Sequence, residues 1–128
     1  MSDYEVAAKK LLSVCQRLEN WFKGEKLYET TTTRSNDEDS IIFRWAYRDG
    51  KFTYYDEKTQ SWKKVVNVHM PLIMAKFISI APVLHEEARN KKDSIAEVLD
   101  DAANAGEEYL QVLSGFEKKL EVIETSVQ

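Results

Sequence analysis

Three cations carry the chemistry this chain could most readily perform. Arg44, Arg48 and Lys51 lie in "IIFRWAYRDGKFTYYD", residues 41–56, which alternates, turns at Asp49-Gly50 and alternates again. Asp-Gly between alternating runs is a strong hairpin signal, because a type I′ turn needs positive φ at both central residues. A two-residue loop sets Arg48 opposite Lys51, Tyr47 opposite Phe52 and Trp45 opposite Tyr54. One face then carries Ile41, Phe43, Trp45, Tyr47, Phe52 and Tyr54. The other carries Ile42, Arg44, Ala46, Arg48, Lys51, Thr53 and Tyr55. The first set reads as core. On the second, Arg44, Arg48, Lys51 and Tyr55 form a surface suited to an anionic partner. Cations beside aromatic rings also suit single-stranded nucleic acid, through stacking and phosphate contact, although most rings here point to the core face. The plainer reading is a wet sheet face whose charges discourage edge-to-edge pairing.

Reaction chemistry has little to work with. His69 and His85 have no Cys, Ser or carboxylate at a known catalytic spacing and read as structural. The chain holds no GxSxG, phosphate loop, dinucleotide fingerprint or HExxH. "NDED" at 36–39 lacks the glycine and distal glutamate of a calcium loop and reads as solvated. Glu86 and Glu87 lack the histidine partner of a di-metal carboxylate site. The sequence therefore predicts no enzyme, no metal and no cofactor.

The elements that must position the cations are legible in order. Ser2 and Glu5 form a capping box. Tyr4, Ala8, Leu11, Cys15, Leu18 and Phe22 follow at helical spacing, with Trp21 widening the stripe and Gly24 as the stop, giving a helix over 2–23. Thr30 to Thr33 favour extended structure and Ser35 to Asp39 a polar loop, so an edge strand precedes the hairpin. "SWKKVVNV" supplies a further strand, but its connecting loop is ambiguous by one residue and leaves the face of Trp62 open. The β-meander spans 28–68. Pro71 starts a helix over 71–91 whose apolar residues, Leu72, Ile73, Met74, Phe77, Ile78, Ile80, Val83 and Leu84, surround most of it. Pro82 should kink or break it. Near "NKKD" it should end, because Ser94 and Glu97 form a second capping box.

The last helix, over 94–125, carries the most regular pattern. Ile95, Leu99, Ala102, Gly106, Tyr109, Leu113, Phe116, Leu120 and Ile123 step by four and three, a heptad seam. Asp93, Glu97, Asp100, Asp101, Glu107 and Glu108 fall outside it. A continuous helix over 94–124 would measure about 46 Å, against a diameter of about 36 Å for a compact domain of this size. It must break near Gly106 or Gly115, pack as the third member of a bundle with the other helices, or pair with another chain. Ala102 and Gly106 would permit close approach in such a dimer. The acidic stripe of Glu97, Asp100, Asp101, Glu107 and Glu108 reads as a solvated face, or alternatively as a mimic of nucleic-acid phosphates.

Composition fits one 128-residue domain, with 43% apolar and 31% charged residues. Residues 1–85 hold 13 Lys or Arg against 11 Asp or Glu, while 86–128 hold 5 against 11, so an acidic segment follows a mildly basic body. No apolar run is long enough for a membrane span, the N-terminus lacks the pattern of a secretory signal, and the lone Cys15 suits a reducing, cytoplasmic setting. The expected fold is α+β: an N-terminal helix, an antiparallel meander of three or four strands, and two C-terminal helices packed with the first. The expected function is a cytoplasmic protein-interaction module of adaptor, inhibitor or chaperone type, homodimeric through Leu99, Ala102, Gly106, Tyr109, Leu113, Phe116 and Leu120. The alternatives are a nucleic-acid binder using the cationic sheet face, and an acidic inhibitor that mimics nucleic acid.

Overall fold

The computed structural model describes residues 2–36 and 41–127, with side chains described over 2–34 and 42–120. Helix α1 runs Asp3–Gly24, followed by strands β1 Thr30–Asn36, β2 Ile41–Arg48, β3 Lys51–Asp56 and β4 Ser61–Lys64, and by helix α2, Pro71–Val127. The chain divides into two compact units, Met1–Lys92 and Asp93–Gln128. The predicted α+β class holds. Most of the polar loop expected at 35–39, and the side chains of Ile41 and Ile123, lie outside the described residues.

Local chemistry explains the first unit. The Ser2 hydroxyl accepts from the Glu5 backbone N–H at 3.2 Å, and Asp3 and Glu5 in the first turn complement the helix dipole. The sheet is an antiparallel meander in the order β1-β2-β3-β4. Asp49 and Gly50 take φ of 52° and 74°, as the hairpin turn requires. The resulting register pairs Arg48 with Lys51, Tyr47 with Phe52 and Trp45 with Tyr54.

That register sends the rings to one face, where both helices cover them. Phe52 is the hub: the Phe22 ring of α1 meets it edge-on at 4.8 Å, and the Phe77 ring of α2 lies 4.4 Å away. Trp45 contacts Phe77 at 5.8 Å, and Cys15, Met74, Leu84 and Val65 close the cluster. Such ring pairs contribute about 0.5–1.5 kcal/mol each beyond the area they bury. Glu19 of α1 is a buried carboxylate in this wall, and the Phe52 backbone N–H donates to it at 2.7 Å. The same charge, after burial itself, pushes the Cys15 thiol up to about 11.

The segment after α1 is tied to α2 by polar contacts. His85 meets the Glu25 carboxylate at 3.0 Å, and Lys91 and Lys92 donate to the backbone carbonyls of Glu29 and Glu25. The His85 contact, with further help from Trp21 and Arg89, holds the Glu25 carboxyl below its usual range. Its stabilising contribution is therefore complete above pH 4.5 and fades as pH falls through the lowered folded value.

Several expectations need correction. Two C-terminal helices were expected; there is one, continuous through Ser94, Gly106 and Gly115. The capping-box pattern at Ser94 and Glu97 lies inside a helix because no glycine or proline stops the chain before it, and extending a formed helix costs less than starting another. Pro82 is accommodated on an exposed side, where the carbonyl left without a donor can be solvated. The early part of α2 buries one stripe, Met74, Phe77, Ala81, Leu84 and Ala88, rather than most of its circumference, and Leu72 is exposed. Trp21 does not widen the buried stripe of α1: it is 65% exposed and its indole N–H donates to Glu25 at 2.5 Å.

A buried thiol with a pKa near 11 is almost wholly protonated at neutral pH, and the thiolate is the nucleophile. Native protein at pH 7.5 should therefore resist iodoacetamide at Cys15 and react once unfolded in guanidinium, as mass spectrometry would record. Rapid alkylation of the native protein would contradict the packing of α1 on the sheet.

Candidate functional site

The outer face of the sheet gathers the predicted cations in the first unit. Arg44, Arg48 and Lys51 are exposed and Tyr55 is half-buried. Cross-strand register adds what the sequence left open. Trp62 pairs with Tyr55 and Lys64 with Thr53, so both fall on this same face. The Tyr55 and Trp62 rings meet edge-on at 5.5 Å. The Arg44 guanidinium stands 4.0 Å above the Tyr55 ring, and that of Arg48 lies 5.7 Å from the Trp62 ring. Cation and ring thus alternate across β2, β3 and β4. Ala46, between the two arginines, is fully buried although it points outward. Its shelter is this layer of long side chains, whose hydrocarbon stems cover apolar surface while their charges stay wet.

Positive charge continues around the hairpin end. Lys51 and Lys64 line a polar groove of about 410 Å³ with Gln16, Glu19, Asn20 and Lys23 of α1. Lys23 packs against Gly50 so closely that a Cβ there would lie 2.4 Å from its Cε. The turn's positive φ is what calls for glycine at position 50, since the end of the flexible Lys23 chain could move aside. Among the described residues, none of Lys23, Arg44, Arg48, Lys51 and Lys64 takes part in an ion pair, so their charge is available to an anion. Trp62, Lys64 and Lys23 escaped the sequence reading. The loop before β4 hid the first two, and the third comes from a separate helix.

The second surface belongs to the second unit. Leu99, Ala102, Gly106, Tyr109, Leu113, Phe116 and Leu120 occupy one stripe of an uninterrupted helix, and all are exposed. Tyr109 and Phe116 show 63% and 61% of their surface, and Leu113, the least exposed of the large ones, 41%. Val98, Leu110 and Val112 flank the stripe and are exposed as well. Single exposed apolar residues need no explanation, but a continuous row does. Glu97, Asp100, Asp101, Glu107 and Glu108 are exposed on the same helix, away from the seam.

Among the described residues no group of three or more His, Cys, Asp or Glu side chains is placed to hold a metal, and no helix is long and apolar enough to cross a membrane. The chain matches no protein-family model, no curated protein and no solved structure.

Proposed function

We propose that this protein is a non-enzymatic interaction module of the adaptor, inhibitor or chaperone kind, homodimeric through the seam of its C-terminal helix. One observation carries the reading: the heptad row from Leu99 to Leu120 is exposed along an uninterrupted helix. Leaving that row in water forgoes roughly 1.5–3 kcal/mol for each Leu, Val or Phe that a partner would bury completely. The lone cysteine, buried and protonated at neutral pH, suits work in a reducing cytoplasm. In this reading the cationic sheet face receives an anionic protein surface, and the acidic stripe keeps the helix soluble.

A second reading is favoured by one specific observation. Trp62 shares the outer sheet face with Tyr55, Arg44 and Arg48. Alternating rings and cations could stack bases and contact phosphates of single-stranded nucleic acid.

Two measurements separate these readings. Sedimentation equilibrium at micromolar concentration should give about twice 14.9 kDa. Leu113→Glu should return the mass to that of one chain, because the new charge would enter an apolar seam unpaired. A wild-type monomer at every concentration would end the dimer reading. Replacing Arg44, Arg48 and Lys51 together by Gln should cost only about 1–2 kcal/mol, since exposed cation–π contacts contribute about 0.5–1 kcal/mol each. If nucleic acid is the ligand, labelled single-stranded DNA should bind wild type with a steep log-salt slope and fail to bind this variant. No binding by wild type would dismiss the second reading. Unfolding of the variant would show that the face supports the sheet rather than a ligand.

A further inference from the structure

We infer that the C-terminal helix pairs with a second copy of itself in antiparallel orientation, about a dyad between Glu107 and Glu108. This rests on the self-association proposed above and adds its geometry. In heptad terms Leu99, Gly106, Leu113 and Leu120 occupy the a positions, and Ile95, Ala102, Tyr109 and Phe116 the d positions. An antiparallel pair stacks the a residue of one helix on the d residue of the other. One register aligns the whole seam at once. It sets Ile95 on Leu120, Leu99 on Phe116, Ala102 on Leu113 and Gly106 on Tyr109, and the twofold axis repeats each layer in reverse.

Side-chain size selects this orientation. Both of the small seam residues, Ala102 and Gly106, meet a large partner, Leu113 and Tyr109. Every layer then holds at least one large residue and none is small on small, which avoids voids along the seam. The flanks obey the same rule. The e positions set Ala103 beside Leu110, and the g positions set Ala105 beside Val112, where a paired coiled coil would ordinarily carry charges. A parallel pair in register does the reverse. It would stack Gly106 on Gly106 and Ala102 on Ala102, then Tyr109 on Tyr109 and Phe116 on Phe116. Helix separation follows the side chains at the contact, so no single spacing would serve both stretches.

Charge selects it too. Residues 93–108 carry Asp93, Glu97, Asp100, Asp101, Glu107 and Glu108 and no Lys or Arg, a net of −6. Residues 109–127 carry Glu117, Lys118, Lys119, Glu121 and Glu124, a net of −1. Parallel pairing would lay the two acidic halves side by side along their whole length. Antiparallel pairing sets each acidic half against the nearly neutral one. The area suffices. Eight large exposed side chains per helix, each covering on the order of 100 Å², give a pair about the 1,600 Å² of a standard interface.

Nitroxide labels on outward positions read the orientation directly. Glu97→Cys and Glu108→Cys proteins would each be labelled and measured by pulsed dipolar spectroscopy, with wild type treated alike as the blank for Cys15. The antiparallel register sets labels at 108 within roughly 20 Å of each other. It sets labels at 97 about 30–40 Å apart, because 21 residues of helix rise then separate them. That pair of distances is the expected result. Two short distances would mean a parallel pair and overturn the antiparallel register, leaving self-association intact. No dipolar coupling at either position, with the mass of one chain, would overturn both and assign the seam to a different partner.

Discussion

Phe52 is the contact on which the folded unit depends. Its ring takes Phe22 from α1 on one side and Phe77 from α2 on the other, while its backbone N–H donates to the buried Glu19 carboxylate. One residue of the central hairpin therefore fixes both helices to one face of the sheet. Everything on the outer face follows from that choice. In a strand, side chains alternate, so committing Phe52, Tyr54, Trp45 and Tyr47 inward commits Arg44, Arg48, Lys51 and Tyr55 outward. The cationic layer is the geometric complement of the core.

The same logic shows where the second unit differs. Up to Lys92, α2 presents a stripe of Met74, Phe77, Ala81, Leu84 and Ala88 that the sheet and α1 absorb. Beyond Asp93 the apolar row continues along the helix, but from Ala96 to Leu120 its side chains are exposed. Helices in water depend chiefly on burying an apolar face, and propensity alone supports them weakly. Residues 93–127 have the pattern for such burial, and our proposal supplies the missing half from a second copy.

The sheet was legible in the sequence because one dipeptide settles it. Asp49-Gly50 allows a single register, and each of the pairs from Trp45–Tyr54 to Arg48–Lys51 follows. Trp62 was not legible, because the turn before β4 has positive φ at Gln60, an uncommon conformation for a residue without glycine's freedom, and loop length there decides the face. Lys23 was hidden for another reason: its place against Gly50 is a tertiary contact between α1 and the hairpin, with no local signature. The second capping box misled because Ser-x-x-Glu signals a helix start only where the preceding chain has stopped. From Pro71 onward Pro82 is the one strong breaker before Ser94, and it lies on an exposed side. The heptad row itself was plain, since four-and-three spacing survives any error in element boundaries.

Backbone hydrogen exchange across residues 96–120, followed over a dilution series, tests the central claim most directly. If the seam is held by a second copy, these amides are protected at micromolar concentration. They lose protection on dilution as the pair separates, while the core amides around Phe52 keep theirs, because local opening reports the stability of each region by itself. Protection over 96–120 that is the same at every concentration, or absent at every concentration, would contradict the account.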